Sequence, residues 1–288
     1  MSLITPFDPW KSKWCSCPPK YSLSAYVGCG HKCLYCYASS YIKNFFSPRP
    51  KNNFIKQLEK EIKKLPPKTI ITMCNSSDPY LPLEKYEKLT LQVLKTLKKT
   101  SFGLIIVTKS SLILRDKDIL KEIKNLVISI TITTLNKSIA KKLEPLAPSP
   151  LERLSTIENL SRDLNVVCRL DPLIYPINTR EVKDIVKEVK NRGAKQIITS
   201  TYKVKPDNFK RMIKGFPEYK NLWYDLYIIK GERINRYIYL PQELRRKMIE
   251  EVKELAINEK IEFSTCREGF SFLNTKNCDG SSFLINSL

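Results

Sequence analysis

The chain has one histidine, His31, so a metal centre built from several imidazoles is excluded. Acidic residues are scarce: 29 Asp and Glu stand against 50 Lys and Arg, a formal charge of +21. No apolar run approaches the ~20 residues a membrane span needs, and the opening MSLITPFDPWKSKW lacks a signal-peptide core. A cytoplasmic protein without a membrane partner is therefore expected. Internal repeats and low-complexity runs are missing too, which excludes solenoid and linker-like architectures.

Positive charge and cysteine are what the chain does have. The charge raises affinity for polyanions, nucleic acid first. A thermophile-like surface would balance Lys with Glu, and this one does not. Nine cysteines in a chain with no export signal point to metal ligands rather than a disulfide framework.

Helical and strand periods alternate along most of the length. A strand-like YSLSAYVG (21–28) precedes helix-spaced Ile55, Leu58, Ile62 and Leu65. Strands at 69–74, 103–109, 126–132, 165–172 and 194–200 then alternate with helices carried by Leu89–Leu97, Ile119–Ile123 and Val182–Val189. A helical stretch over 137–163 is interrupted by Pro145, Pro148 and Pro150. This order predicts βαβ units and a parallel sheet. From about 203 the rhythm gives way to basic loops and aromatics, then a helix over 241–258. Tyr202, Phe209, Phe216, Tyr219, Trp223, Tyr224 and Tyr227 could stack on bases, although core packing is the usual role of such residues.

Cys29, Cys33 and Cys36 in YVGCGHKCLYCYASSY form a C-x3-C-x2-C triplet. Iron–sulfur clusters normally take four thiolates; a triplet holds three irons of a [4Fe–4S] cluster and leaves one open. The alternative, a zinc knuckle, calls for four protein ligands in paired sets. His31 lies inside this loop and reads as loop rather than as a catalytic group.

The triplet resembles the signature of the radical S-adenosylmethionine (SAM) enzymes, and the segment 14–200 resembles the spore photoproduct lyase-like (DNA repair photolyase-like) branch, in an archaeal-type form. The resemblance implies an α/β fold, the open (β/α)6 partial TIM barrel of the radical SAM core, here with a C-terminal basic, aromatic-rich extension. On that reading residues 1–20 form an N-terminal extension with Cys15 and Cys17, 21–202 the partial barrel, and 203–288 an extension packing on it. It also implies a cluster that cleaves SAM to a 5′-deoxyadenosyl radical, which abstracts hydrogen from a substrate such as a nucleic-acid lesion. The electron would come from a donor such as ferredoxin or flavodoxin. Radical chemistry on a non-nucleic-acid substrate is one alternative; a non-catalytic zinc protein that binds DNA or RNA is another.

Residue by residue, the resemblance gives Tyr35 and Tyr37 catalytic or SAM-packing roles. In CNSSDPYLP (74–82), Ser76, Ser77 and Asp78 offer acceptors for the SAM ammonium, while Asp78 also suits a turn cap before Pro79. The lyases' catalytic cysteine aligns with Asn75; Cys74 lies one residue earlier, which on a strand would turn it to the opposite face. Lys109 matches the lysine that pairs with the SAM carboxylate, and Ser129 a serine that contacts SAM. Arg169 and Asp171 share one strand face and suit SAM, substrate or one another. Glu144, in KKLEPLAPSP, reads as a helix-end structural residue.

Cys15 and Cys17 (WCSCPP) and Cys266 and Cys278 are four further thiols in two distant loops. Together they could hold an auxiliary [4Fe–4S] cluster, the preferred reading, or zinc. Cys168 reads as a buried apolar residue.

Overall fold

The computed structural model describes residues 2–7, 12 and 14–284. The remaining parts of the two expected extensions, residues 1, 8–11, 13 and 285–288, lie outside the described residues.

Eight strands form one sheet in chain order: β1 (Ile4–Pro6), β2 (Tyr21–Leu23), β3 (Ile70–Met73), β4 (Gly103–Thr108), β5 (Leu126–Thr131), β6 (Asn165–Leu173), β7 (Gln196–Thr201) and β8 (Glu262–Thr265). β1 is antiparallel to β2, and each later pair is parallel. Parallel neighbours need crossovers. These are α1 (Phe54–Ile62), α2 (Leu89–Leu97), α3 (Lys117–Lys121), α4 (Lys137–Leu143), α5 (Pro150–Ser161), α6 (Val182–Asn191), α7 (Pro206–Gly215) and α8 (Gln242–Asn258). β1 and β8 stand at opposite edges of the strand order and do not pair, so the barrel is open. The six expected strands are β2–β7, and the C-terminal segment adds β8 beside β7.

The first strand is shorter than the expected 21–28. It stops at Leu23, and Tyr26–Val27 pairs instead with Arg49–Pro50 in a separate ribbon. The chain thus leaves the sheet just before the cysteine triplet. The prolines after α4 act as read from the sequence: α5 restarts with Pro150 in its first turn and a Ser149–Glu152 capping box.

α6 shows how the crossovers are held. Val182, Ile185, Val186 and Val189 recur at helical spacing and are all buried; each such burial stabilises by about 1.5–3 kcal/mol. Inside the barrel, Ile105, Val127, Val167 and Ile198 from four adjacent strands converge on Leu284. The C-terminal turn therefore plugs the end where the strands begin. Gly280 makes this approach with φ +83°, and a Cβ there would lie 3.0 Å from Val127 and 3.3 Å from Val167. Phe209, Phe216, Trp223 and Tyr227 are buried and pack in the core; Tyr202 is buried too but lines the cavity described below, and Tyr224 is exposed. Among the described residues no helix is long and apolar enough to cross a membrane.

Candidate active site

Inside the barrel, reaching the end where the strands finish, lies a cavity of about 520 Å³, lined also by Ile105, Cys17, Cys266 and Cys278. Barrel enzymes carry their chemistry on this rim. Cys29, Cys33 and Cys36 line it, together with Tyr35, Tyr37, Cys74, Ser76, Ser77, Asp78, Lys109, Arg169 and Asp171. One expected residue stays out. Ser129 is fully buried on β5, two residues below the lining Thr131, and its hydroxyl has no hydrogen-bond partner among the described residues.

The cysteine loop is fixed by its backbone. Gly28 takes φ +86°, where a Cβ would meet the Phe45 carbonyl oxygen at 2.4 Å; that close pass lets Cys29 N donate to Phe45 O at 2.8 Å. From α7, Arg211 donates to Leu34 O (3.1 Å) and Cys36 O (2.7 Å), and Asn208 donates to Tyr35 O (2.9 Å). Asp207 steadies the Arg211 fork at 2.9 Å. The sequence read this region as basic loop; the signal missed was the helix start Pro206-Asp207-Asn208.

Beneath the loop sits Glu144, the residue following α4, with 1 % exposure. It accepts from Tyr35 Oη and from Thr133 Oγ1 (2.7 Å), and it meets Arg153 at 2.5 Å. Burial alone would raise its pKa, but the Arg153 and Lys109 charges and these hydrogen bonds outweigh it and bring Glu144 to about 2. The helix-end reading understated this residue, because it anchors a cluster-loop side chain. Lys109 Nζ lies 5.8 Å from the centre of the Tyr35 ring. The Lys109 pKa is raised: burial opposes the charge, and Glu144 and Cys33 more than compensate.

Asp78 is fully engaged. Its carboxylate accepts from Tyr80 N (2.8 Å), Thr108 Oγ1 (2.6 Å) and Lys109 N (2.8 Å), and His31 Nε2 lies 3.1 Å away. Burial would raise its pKa; His31 and these donors instead hold it at about 2. Asp78 thus ties the cysteine loop to the tips of β3 and β4, and His31 proves to be part of that tie, with Nδ1 3.2 Å from Leu146 O. Ser76 Oγ lies 3.0 Å from Tyr41 Oη and Ser77 Oγ 3.3 Å from Ser24 Oγ.

Cys74 corrects an expectation. Strand alternation does not apply to it, since β3 ends at Met73 and Cys74 adopts φ +62°. It lines the cavity, its thiol 3.5 Å from Ser24 Oγ, and burial pushes its pKa up to about 11. Tyr37 packs edge-on against Tyr237 at 5.2 Å. Arg169 contacts Asp171 at 3.3 Å and its charge lies near Cys266; Asp171 accepts from Ser200 Oγ at 2.6 Å.

The residues fit an iron–sulfur cluster by donor chemistry. Three cysteines line one cavity from a loop held by Asn208 and Arg211, and cysteine sulfur is the donor that such clusters take. Among the described residues no three His, Cys, Asp or Glu side chains are already closed into a metal-binding set, the triplet included.

The radical SAM superfamily model matches residues 23–189, more than half the chain, including the cysteine triplet, Asp78, Lys109 and Arg169. The chain belongs to the radical SAM superfamily. It is 34% identical over 144 residues to the uncharacterized protein MJ0683 of Methanocaldococcus jannaschii, covering 49% of this chain and 55% of that one. It is also 30% identical over 198 residues to the uncharacterized protein ORF301 of Acidianus two-tailed virus, covering 62% and 65%. The chain therefore matches about half to two thirds of the length of these relatives. Among solved structures, a spore photoproduct lyase double mutant with bound AdoMet and dinucleoside spore photoproduct superposes with TM-score 0.67 at 17% identity, over 90% of this chain and 79% of that one. Streptococcus suis SuiB bound to S-adenosylmethionine gives 0.59 at 12%, over 85% and 49%. These likenesses show a shared fold, the partial barrel of this superfamily.

Proposed function

We propose that the chain is a radical SAM enzyme of the spore photoproduct lyase-like group, with Cys29, Cys33 and Cys36 holding a [4Fe–4S] cluster. The observation that carries this reading is the convergence of the three thiols and Lys109 on one cavity. When bound, the cluster and SAM supply a 5′-deoxyadenosyl radical that removes a hydrogen atom from the substrate.

The chain's own residues bind, orient and exclude water. Among the described residues Lys109 Nζ makes no ion pair, which leaves it to take the SAM carboxylate. Ser76 and Ser77 offer acceptors to the ammonium, whereas Asp78 acts through the loop it ties down. Tyr35, its hydroxyl held by Glu144, presents a ring for adenine to pack on, and Tyr37 lines the same cavity. Arg169 and Asp171 face the same space. Cys74 remains a protonated thiol at neutral pH, and so keeps the S–H bond that a hydrogen-atom donor requires.

Nucleic acid is the favoured substrate class, on the charge of +21. A ferredoxin- or flavodoxin-type donor would supply the electron. The test is anaerobic incubation of reduced protein with SAM and formation of 5′-deoxyadenosine. Cys29→Ala should abolish it; turnover unchanged in that variant would overturn the assignment.

A further inference from the structure

The open barrel has a seam, because its edge strands β1 and β8 do not hydrogen-bond to each other. Four cysteines gather there. Cys15 and Cys17 lie in the segment joining β1 to β2, Cys266 directly follows β8, and Cys278 precedes the plugging turn at Gly280. Cys17 Sγ lies 3.3 Å from Cys278 Sγ, and Cys17, Cys266 and Cys278 line one cavity. Cys15 stands two residues from Cys17, and the two thiols interact, as those of Cys266 and Cys278 do. Residues more than 240 positions apart in sequence thus form one thiol cluster.

We propose that Cys15, Cys17, Cys266 and Cys278 bind a single zinc ion that clasps the seam. Zinc–thiolate bonds of about 2.3 Å in a tetrahedron put neighbouring sulfurs roughly 3.8 Å apart. The 3.3 Å Cys17–Cys278 contact suits two ligands of one ion, whereas a cubane cluster spreads its cysteines much further. This reverses the preference for an auxiliary cluster drawn from the sequence. Among the described residues the four thiols are not already closed into a metal-binding set, and an ion bound by all four draws them together. Four protein ligands leave no open position, the mark of a structural site.

The surroundings supply the outer shell such a site needs. Ser16 Oγ donates to Cys278 Sγ at 3.7 Å, and the Arg169 charge lies near Cys266. Lys20, buried and paired with Asp279 across the same seam, brings its charge near Cys17. One donor and two cations beside the sulfurs fit thiolates better than neutral thiols. Zinc binding displaces the thiol protons to solvent and involves no electron transfer. Cys17, Cys266 and Cys278 themselves line the catalytic cavity, so the clasp forms part of its wall.

The test uses the full chain carrying Cys29→Ala, Cys33→Ala and Cys36→Ala, so that no cluster iron confuses the count and the outcome is independent of the radical SAM assignment. Elemental analysis should give one zinc per chain and no iron. Exchange for Co2+ should give the intense visible bands of a tetrahedral tetrathiolate. Adding Cys266→Ser and Cys278→Ser should remove both signals. Should that variant fail to fold, Cys15→Ser alone, with its circular dichroism unchanged, should weaken zinc in chelator competition by roughly tenfold or more. Iron with sulfide in the triple variant, four freely alkylated thiols with no metal, or a mass deficit showing a Cys17–Cys278 disulfide would each overturn the proposal.

Discussion

Glu144 grips Tyr35. The carboxylate at the end of α4 accepts the hydroxyl of a tyrosine that sits between two cluster cysteines, 109 residues earlier in the chain. With Arg153 on its other oxygen and Thr133 beside it, Glu144 converts an exposed-loop motif into a fixed wall of the cavity.

Replacing Glu144 with Gln would leave Arg153 buried without its counter-charge. Losing one partner of such a pair costs about 3–5 kcal/mol. Urea unfolding should show a loss of that size, while Tyr35→Phe, which removes one hydrogen bond to a charged group, should cost about 1.5–3 kcal/mol.

Acid should expose the same group. The Glu144 pKa falls from 4.5 to about 2 on folding. A lowered carboxyl pKa stabilises above the unfolded value, and the contribution is lost as pH falls through the folded one. Glu144 therefore adds about 3 kcal/mol above pH ~5 that disappears between pH ~4.5 and ~2. In Glu144→Gln, denaturation followed against pH should lose this part of its acid limb.

Lys109→Met should separate SAM binding from cluster binding. Removing a charge-assisted contact costs about 1.5–3 kcal/mol, so SAM affinity by equilibrium dialysis should fall roughly tenfold to a hundredfold. Iron content should not change, since Lys109 is not a ligand.

Much of this was legible from residue pattern. The helix and strand periods give the six parallel strands, and the C-x3-C-x2-C spacing gives the cluster loop. What was hidden depends on distance in sequence. Nothing near Glu144 announces Tyr35, and nothing near Arg211 announces the Leu34 and Cys36 carbonyls it holds. Such contacts are set by how α4 and α7 pack, not by local propensity. Cys74 was misjudged for a different reason: alternation was extended one residue beyond the end of a strand, into a left-handed turn.

Arg211→Lys follows from those contacts. Lysine keeps the charge but cannot span both carbonyls and Ser39, which Arg211 reaches at 2.9 Å. The loop should loosen, with lower iron occupancy after reconstitution and faster cluster loss in air, while the unfolding midpoint moves little.

Binding to nucleic acid should be strongly salt-dependent if the net charge of +21 is used for it. Each phosphate neutralised contributes roughly −0.9 to the slope of log K against log salt for duplex DNA. Fluorescence anisotropy at 50 and 200 mM salt measures this, and affinity that ignores salt would argue for a small-molecule substrate.

The most direct test of the central claim is the EPR spectrum of anaerobically reconstituted, dithionite-reduced protein, recorded with and without SAM. A site-differentiated cluster on Cys29, Cys33 and Cys36 predicts a [4Fe–4S]+ signal that changes when SAM is added and vanishes in the triple alanine variant. A colourless protein without iron, or a cluster signal indifferent to SAM, would contradict it.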